Sequence, residues 1–229
     1  MSALAHWLEE EGIATTVIAL VRLHAEKVRP PRALWVPFEL GRPLGPPNDA
    51  AFQRRVLSAA LQLLESATEH GQIVDFDDDD PDGADDPDWT CPVSGGASDL
   101  AAEVAAVRPH YERAVASFER TTVGLASVPI EAAATFLAAY AIDETAERPR
   151  TGMAPASLMR FCADDLKAFY LEAAASGDGT PSSRQMTDWF WHRTIAGSTI
   201  KTIMRGSADS ADKQRQALGV KSIVPGMYQ

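Results

Sequence analysis

The sequence predicts an α/β fragment, an incomplete doubly wound parallel sheet, followed by an all-α helical bundle. Short β-branched runs alternate with helical periods over residues 1–68. A run of aspartates free of Lys and Arg then interrupts the chain. Beyond residue 98, apolar residues recur at helical spacing alone. The divisions that follow are a partial α/β domain at 1–68, an acidic disordered linker at 69–97 and a helical bundle at 98–229.

Residues 2 to 12 read as a helix with Leu4, Trp7 and Leu8 on one face and Gly12 at its stop. Thr15 to Val21 is a β-branched run suited to a strand buried on both faces. Leu23 to Val28 fits a short helix, ended by Arg29-Pro30-Pro31. Arg32 to Phe38 is a second strand. Gly41, Pro43, Gly45, Pro46 and Pro47 stiffen the loop beyond it, and Asn48-Asp49 offer a cap. Phe52, Val56, Ala59 and Leu63 keep a helical period from Ala50 to Ser66. Two strands bury too little area to hold a sheet in which both look central. A further strand is therefore expected from another chain or from sequence ahead of Met1.

In the bundle, Ser98-Asp99 caps Leu100 to Arg120, with Val104, Val107, Tyr111, Val115 and Phe118 on one stripe. Pro129 opens a helix carrying Ile130, Phe136, Leu137 and Tyr140. Pro155 opens another through Ala175, with Leu158, Phe161, Cys162, Leu166, Phe169 and Tyr170 inward. Pro181-Ser182-Ser183 opens the last long helix, burying Met186, Trp189, Phe190, Thr194, Ile200, Ile203 and Met204. Four helices with modest connections predict an antiparallel bundle. The tail, 207–229, is expected to add a short helix and an extended end.

Composition narrows the function classes. The chain has 229 residues, 45% hydrophobic and 23% charged, which is ordinary for globular domains. Nine aspartates between Asp75 and Asp88 carry most of the net charge of −11, so the rest is nearly neutral. Nothing forms a basic footprint for nucleic acid. No apolar run reaches the ~18 residues of a membrane span. The glutamate-bearing N-terminus lacks the basic start of a secretory signal. A cytoplasmic protein is the default expectation. The aspartate run lacks the spacing of a calcium loop. Trp89 and Val93 are expected to dock the linker back onto a domain.

The richest segment for function is Arg32 to Asp49, RALWVPFELGRPLGPPND. Ligands of open α/β sheets bind beyond the carboxyl ends of the strands, where this loop would lie. Pro37, Phe38, Gly41, Pro43, Gly45, Pro47, Asp49 and Gln53 are the candidate crevice residues, although Gly and Pro also close ordinary surface loops. AHWLEEEGIATTVIAL and RPPRALWVPFELGRPLGPPNDAAFQRRVLSAALQLLE resemble the C-terminal part of component B (selenoprotein B) of the glycine/sarcosine/betaine and D-proline reductase family. Pro37, Phe38, Leu40, Gly41, Pro43, Gly45, Pro47, Asp49 and Gln53 carry the match. DDPDWTCPV also looks like that family's terminal segment, so the likeness covers about residues 3–93. The resemblance implies thiol or selenol redox chemistry, with reductive cleavage of a carbon–nitrogen bond. The family's redox Cys or selenocysteine lies ahead of the matched region, and this chain has no cysteine before Cys91.

The remaining reactive residues are sparse. Cys91 sits among aspartates, which disfavour a thiolate, and Cys162 sits on an apolar stripe. Five dispersed histidines show no ligand spacing, although His110, His192 and Asp164 or Asp165 could meet across a bundle. No metal and no cofactor is expected. In the run Trp189 to Arg193, either Trp191 or His192 should reach an interface. The leading expectation is a component of a thiol-dependent oxidoreductase, completed by a protein partner or an upstream segment, with a small-molecule substrate. The alternative is a non-enzymatic helical module that binds a partner or ligand, with the α/β remnant docked to it.

Overall fold

A computed structural model describes residues 2–81, 83–93, 95–208, 210, 213, 215, 216 and 223–228. It divides into two compact units, residues 1–84 and 85–229.

Unit 1 runs α1 (Ser2–Glu10), β1 (Val17–Ala19), α2 (Arg22–Val28), β2 (Arg32–Trp35), α3 (Ala50–Ser66) and β3 (Gln72–Asp75). The three strands are parallel, in the order β1-β2-β3. Ile18, Leu34 and Val74 share one rung, and Ala19, Trp35 and Asp75 the next. Ala33 and Leu34 are both fully buried, so the central strand is covered on both faces. Phe52, Val56, Ala60 and Leu63 of α3 pack against Leu34, Val36 and Phe38. Each large side chain among them contributes about 1.5–3 kcal/mol on burial. Asp49 caps α3, accepting from the Phe52 amide at 2.9 Å.

Unit 1 departs from the sequence reading in three ways. The stretch expected to be linker contains β3, whose Ile73 and Val74 pair alongside β2. β1 is an edge strand, only half-buried, where a strand covered on both faces was expected. The α1 face of Leu4 and Trp7 lies in solvent, while Ser2 and Ala5 are the buried positions. Asp82 lies outside the described residues.

Unit 2 holds α4 (Leu100–Phe118), α5 (Ile130–Tyr140), α6 (Pro155–Ala174), α7 (Ser183–Arg193) and α8 (Ile195–Ala208), with a 3-10 turn at Gly226–Tyr228. α6 touches all four other helices. It buries Leu158, Met159, Cys162, Leu166, Phe169 and Tyr170 completely. Asp99 and Pro155 stand at the helix starts where they were expected, and Pro129 sits one residue earlier than expected, as the N-cap before Ile130. Phe118, placed on the buried stripe by periodicity, is 52% exposed at the C-terminal end of α4, which closes with the left-handed Glu119 bonded to the Val115 carbonyl.

The last long helix is two helices. Thr194 is extended, at φ −113° and ψ 150°. Its hydroxyl donates to the Phe190 carbonyl at 2.7 Å and accepts from the Gly197 amide at 2.9 Å. The Glu103 carboxylate, reaching from α4, accepts from the Ile195 and Ala196 amides and from the Tyr170 hydroxyl. A buried acid thus satisfies the first donors of α8, which is what lets the chain turn there. Among the described residues, five helices replace the four expected.

Residues 85–93 belong to this unit. Asp85 accepts from the Ser182 hydroxyl at 2.6 Å, and Asp86 from the Thr180 amide at 2.9 Å. Val93 is buried in the bundle core. Trp191 is buried too, stacked on Tyr228 of the chain's own C-terminal segment, while His192 stays exposed. Most of the tail between 209 and 222 lies outside the described residues.

Candidate functional site

The segment from Pro37 to Gln53 lies beyond the carboxyl end of β2, next to the central strand of the sheet. Its backbone is held by its own bonds. The Arg42 amide donates to the Glu39 carbonyl, and the Gly45 amide to the Arg42 carbonyl, both at 3.0 Å. The Gln53 side-chain Nε2 donates to the Pro46 carbonyl at 2.8 Å. Gly45 has φ +84°, and a Cβ there would lie 2.5 Å from the Phe52 ring. Only glycine permits both that turn and that approach.

Below the loop, three rings meet: Phe38, Phe52 and Phe76, with centroids 5.4–6.0 Å apart. Of the candidate crevice residues, Phe38 and Gly45 are buried and Pro37 and Gln53 half-buried. Gly41, Pro43, Pro47 and Asp49 are exposed. Asp49 and Gln53 spend bonds on the α3 cap and the Pro46 carbonyl. The loop's own hydrogen bonds hold its backbone, and none of its exposed Gly or Pro positions can move a proton or attack a substrate.

The charged groups at this end of the sheet join Arg22, Glu26 and Arg55, which the sequence did not single out, to Asp75 and Asp78 of the aspartate run. Arg22, just after β1, pairs with Asp75 at the end of β3 and with Glu26 at 3.0 Å. Its guanidinium stacks over Trp35 at 5.2 Å, as cation–π geometry favours. Trp35 and Asp75 share a rung, so their side chains lie on one face and one Arg can bridge both. Arg55 on α3 pairs with Asp78 at 2.8 Å. The signal for this cluster was the pairing register, which depends on the unforeseen β3.

Neither thiol is built for nucleophilic work. Cys162 is fully buried, and burial, assisted by the Asp165 charge, pushes its pKa up to about 12. Burial also raises that of Cys91. The Asp165 oxygens accept from the Gly124, Leu125 and Ala126 amides at 2.8–2.9 Å, so this acid organises the loop before α5. No group of three or more His, Cys, Asp or Glu side chains able to hold a metal occurs among the described residues. No described helix is long and apolar enough to cross a membrane.

Comparison with family models, with curated proteins and with solved structures finds no match for this chain.

Proposed function

We propose that this chain is a non-catalytic component of a thiol- or selenol-dependent oxidoreductase resembling component B of the glycine/sarcosine/betaine reductase family, acting in the cytoplasm. Its α/β unit is one part of a doubly wound sheet that another polypeptide completes. The loop Gly41 to Asp49, over the Phe38, Phe52 and Phe76 rings, forms one wall of a small-molecule crevice. The redox-active Cys or selenocysteine comes from the completing partner.

The observation that carries this reading is a three-stranded parallel sheet whose outer strands each leave one edge unpaired among the described residues. All-parallel sheets are ordinarily covered on both faces and continued by further strands. Nine of the thirteen large hydrophobic side chains left exposed among the described residues belong to this smaller unit. Three of them, Leu57, Leu61 and Leu64, follow one another along one side of α3, and a contiguous apolar strip of that kind marks an interaction site. The raised pKa values of Cys91 and Cys162 agree with a nucleophile located elsewhere.

The test is co-expression with neighbouring reading frames, purification of the stoichiometric complex and alkylation with iodoacetamide under native conditions. The expected result is loss of dithiol-dependent C–N bond reduction, with the label on the partner's thiol and not on Cys91 or Cys162. Activity of the purified chain alone, lost on labelling Cys91, overturns the proposal.

A second reading is favoured by the bundle itself. Glu103 and Asp165, the two acids buried in it among the described residues, are both bonded to backbone amides. Such acids build structure, and the bundle then serves as an interaction module carried beside the α/β unit. Full dithiol-dependent reductase activity in a complex lacking residues 85–229 supports that division of labour.

A further inference from the structure

We infer that the free edge of β1 pairs with β1 of a second copy of this chain, joining two three-stranded sheets into one of six strands. This rests on the reading that the sheet of unit 1 is completed from outside, and it names the occupant of one edge.

The geometry of β1 fixes which groups are available. The Val36 amide bonds to the Ala19 carbonyl at 3.0 Å, so Ala19 faces β2. In a strand the main-chain groups of alternate residues point to opposite sides. The N–H and C=O of Ile18 therefore point to the free edge, where no described strand takes them, and Leu20, in the bend just past β1, would present its own there once pairing extends the strand by one residue. Beside that edge runs a groove of about 370 Å³, lined by residues 17 to 21 with Ser2, His24 and Ala25. A twofold axis at Ala19 sets Ile18 opposite Leu20 of the second copy, and Leu20 opposite its Ile18. Each such pair exchanges two N–H···O bonds in an antiparallel ladder. The edge is therefore complementary to itself, as a twofold interface requires.

Charge selects this edge over the other. Residues 13 to 21 carry no charged side chain, so two copies meet there without repulsion. Isolated edge strands usually carry a charge, a proline or a bulge that blocks such pairing, and β1 carries no charge and no proline. The β3 edge ends in Asp75 and is followed by Asp77 to Asp80, which would oppose their own copies. Packing points the same way. Ile18 and Leu20 are half-buried at the margin of the Leu34–Phe52–Val56 core, so pairing sets the margins of two cores together. Val21 beside them is 48% exposed and gains cover.

The experiment uses Ala19, whose side chain would lie across the axis from its own copy, at a cross-strand Cβ separation of about 4.5–5.5 Å. Sedimentation of the full chain is expected to show a dimer. Ala19→Lys and Ala19→Glu, each alone, are expected to sediment as monomers, and an equimolar mixture to recover the dimer. The Ile18 and Leu20 amides are expected to exchange slowly in the wild type and the mixture, and rapidly in each variant alone. Slow exchange of the Ala33 and Leu34 amides in every sample shows that the fold survives. A wild-type monomer at the highest soluble concentration overturns the proposal and leaves completion by a different polypeptide standing. A dimer indifferent to both substitutions also overturns it, because association then uses another surface.

Discussion

A few positions, among them Glu103 with its partner Tyr170, Cys162 and Gly45, show how much a single residue decides in this protein. Glu103 accepts three hydrogen bonds in a buried setting, from Tyr170, Ile195 and Ala196. Glu103→Ala leaves those donors unpaired, and the expected loss is about 3 kcal/mol of unfolding free energy in a urea titration. Tyr170→Phe removes one donor and leaves the acid bonded, so about 1 kcal/mol is expected. Cys162 is reached only through unfolding: at pH 7 a thiol with a pKa near 12 is almost wholly protonated, and here it is also enclosed. Its labelling rate with an alkylating reagent is expected to rise with urea in step with the loss of helix. Gly45→Ala meets both the positive φ and the Phe52 ring, a cost of about 1–3 kcal/mol, with displacement of the loop 41–49. A drop in the urea midpoint of unit 1, with that of unit 2 unchanged, is the measurement that checks it.

Among elements, the segment 85–93 and the start of α7 form a switchable contact. The Ser182 hydroxyl and Arg184 hold the Asp85 carboxyl below its usual range. The Thr180 and Asp88 amides do the same for Asp86. Both folded pKa values are depressed, so the stabilisation is present above the unfolded value of about 4 and is lost as pH falls through the folded values. The protection factors of the Thr180 and Asp88 amides, measured relative to their intrinsic exchange rates, are expected to fall below pH 4 and to stay constant between pH 5 and 8. The sequence made the start of this contact legible, since Pro181-Ser182-Ser183 reads as a helix opening, and Ser182 does form a capping box with Gln185. The aspartates looked like mere solvated linker because their partners lie roughly a hundred residues away. β3 was hidden for a similar reason: four residues beside an acidic run carry little periodicity, and only pairing with β2 makes them a strand. The α7–α8 corner was illegible because Thr194 and Gly197 fit a helical period, and the acid that breaks it stands on α4. α5 and α6 were plain, since helical spacing and proline starts are local properties. Of the crevice candidates, the sequence foretold the stiffness of the loop, but the Arg22–Trp35–Asp75 cluster needed the register of a strand it did not reveal.

At the scale of the molecule, the two units solve the burial problem differently, and their unfolding should separate. Unit 2 encloses a continuous core around α6 and keeps few large apolar side chains in solvent. Unit 1 has the small core of Leu34, Val36, Phe38 and α3, and exposes Leu57, Leu61 and Leu64 along one side of that helix. Small cores of this kind gain much of their stability from association. If two copies pair through β1, mass action ties the stability of unit 1 to protein concentration and leaves that of unit 2 alone. A tenfold rise in concentration is then worth about 1.4 kcal/mol to the dimer. Urea unfolding of the full chain is expected to show two transitions. The first, followed by exchange of the Ala33 and Leu34 amides, moves to higher urea as concentration increases. The second, followed by helical circular dichroism, stays fixed and coincides with that of a fragment comprising residues 85–229. A first transition that ignores concentration while remaining well below the second would show that unit 1 is held together by its own contacts. The free edge of β1 would then be unpaired in solution and the pairing of β1 with its copy would fall, while completion of the sheet by a different polypeptide would stand or fall on the co-expression test.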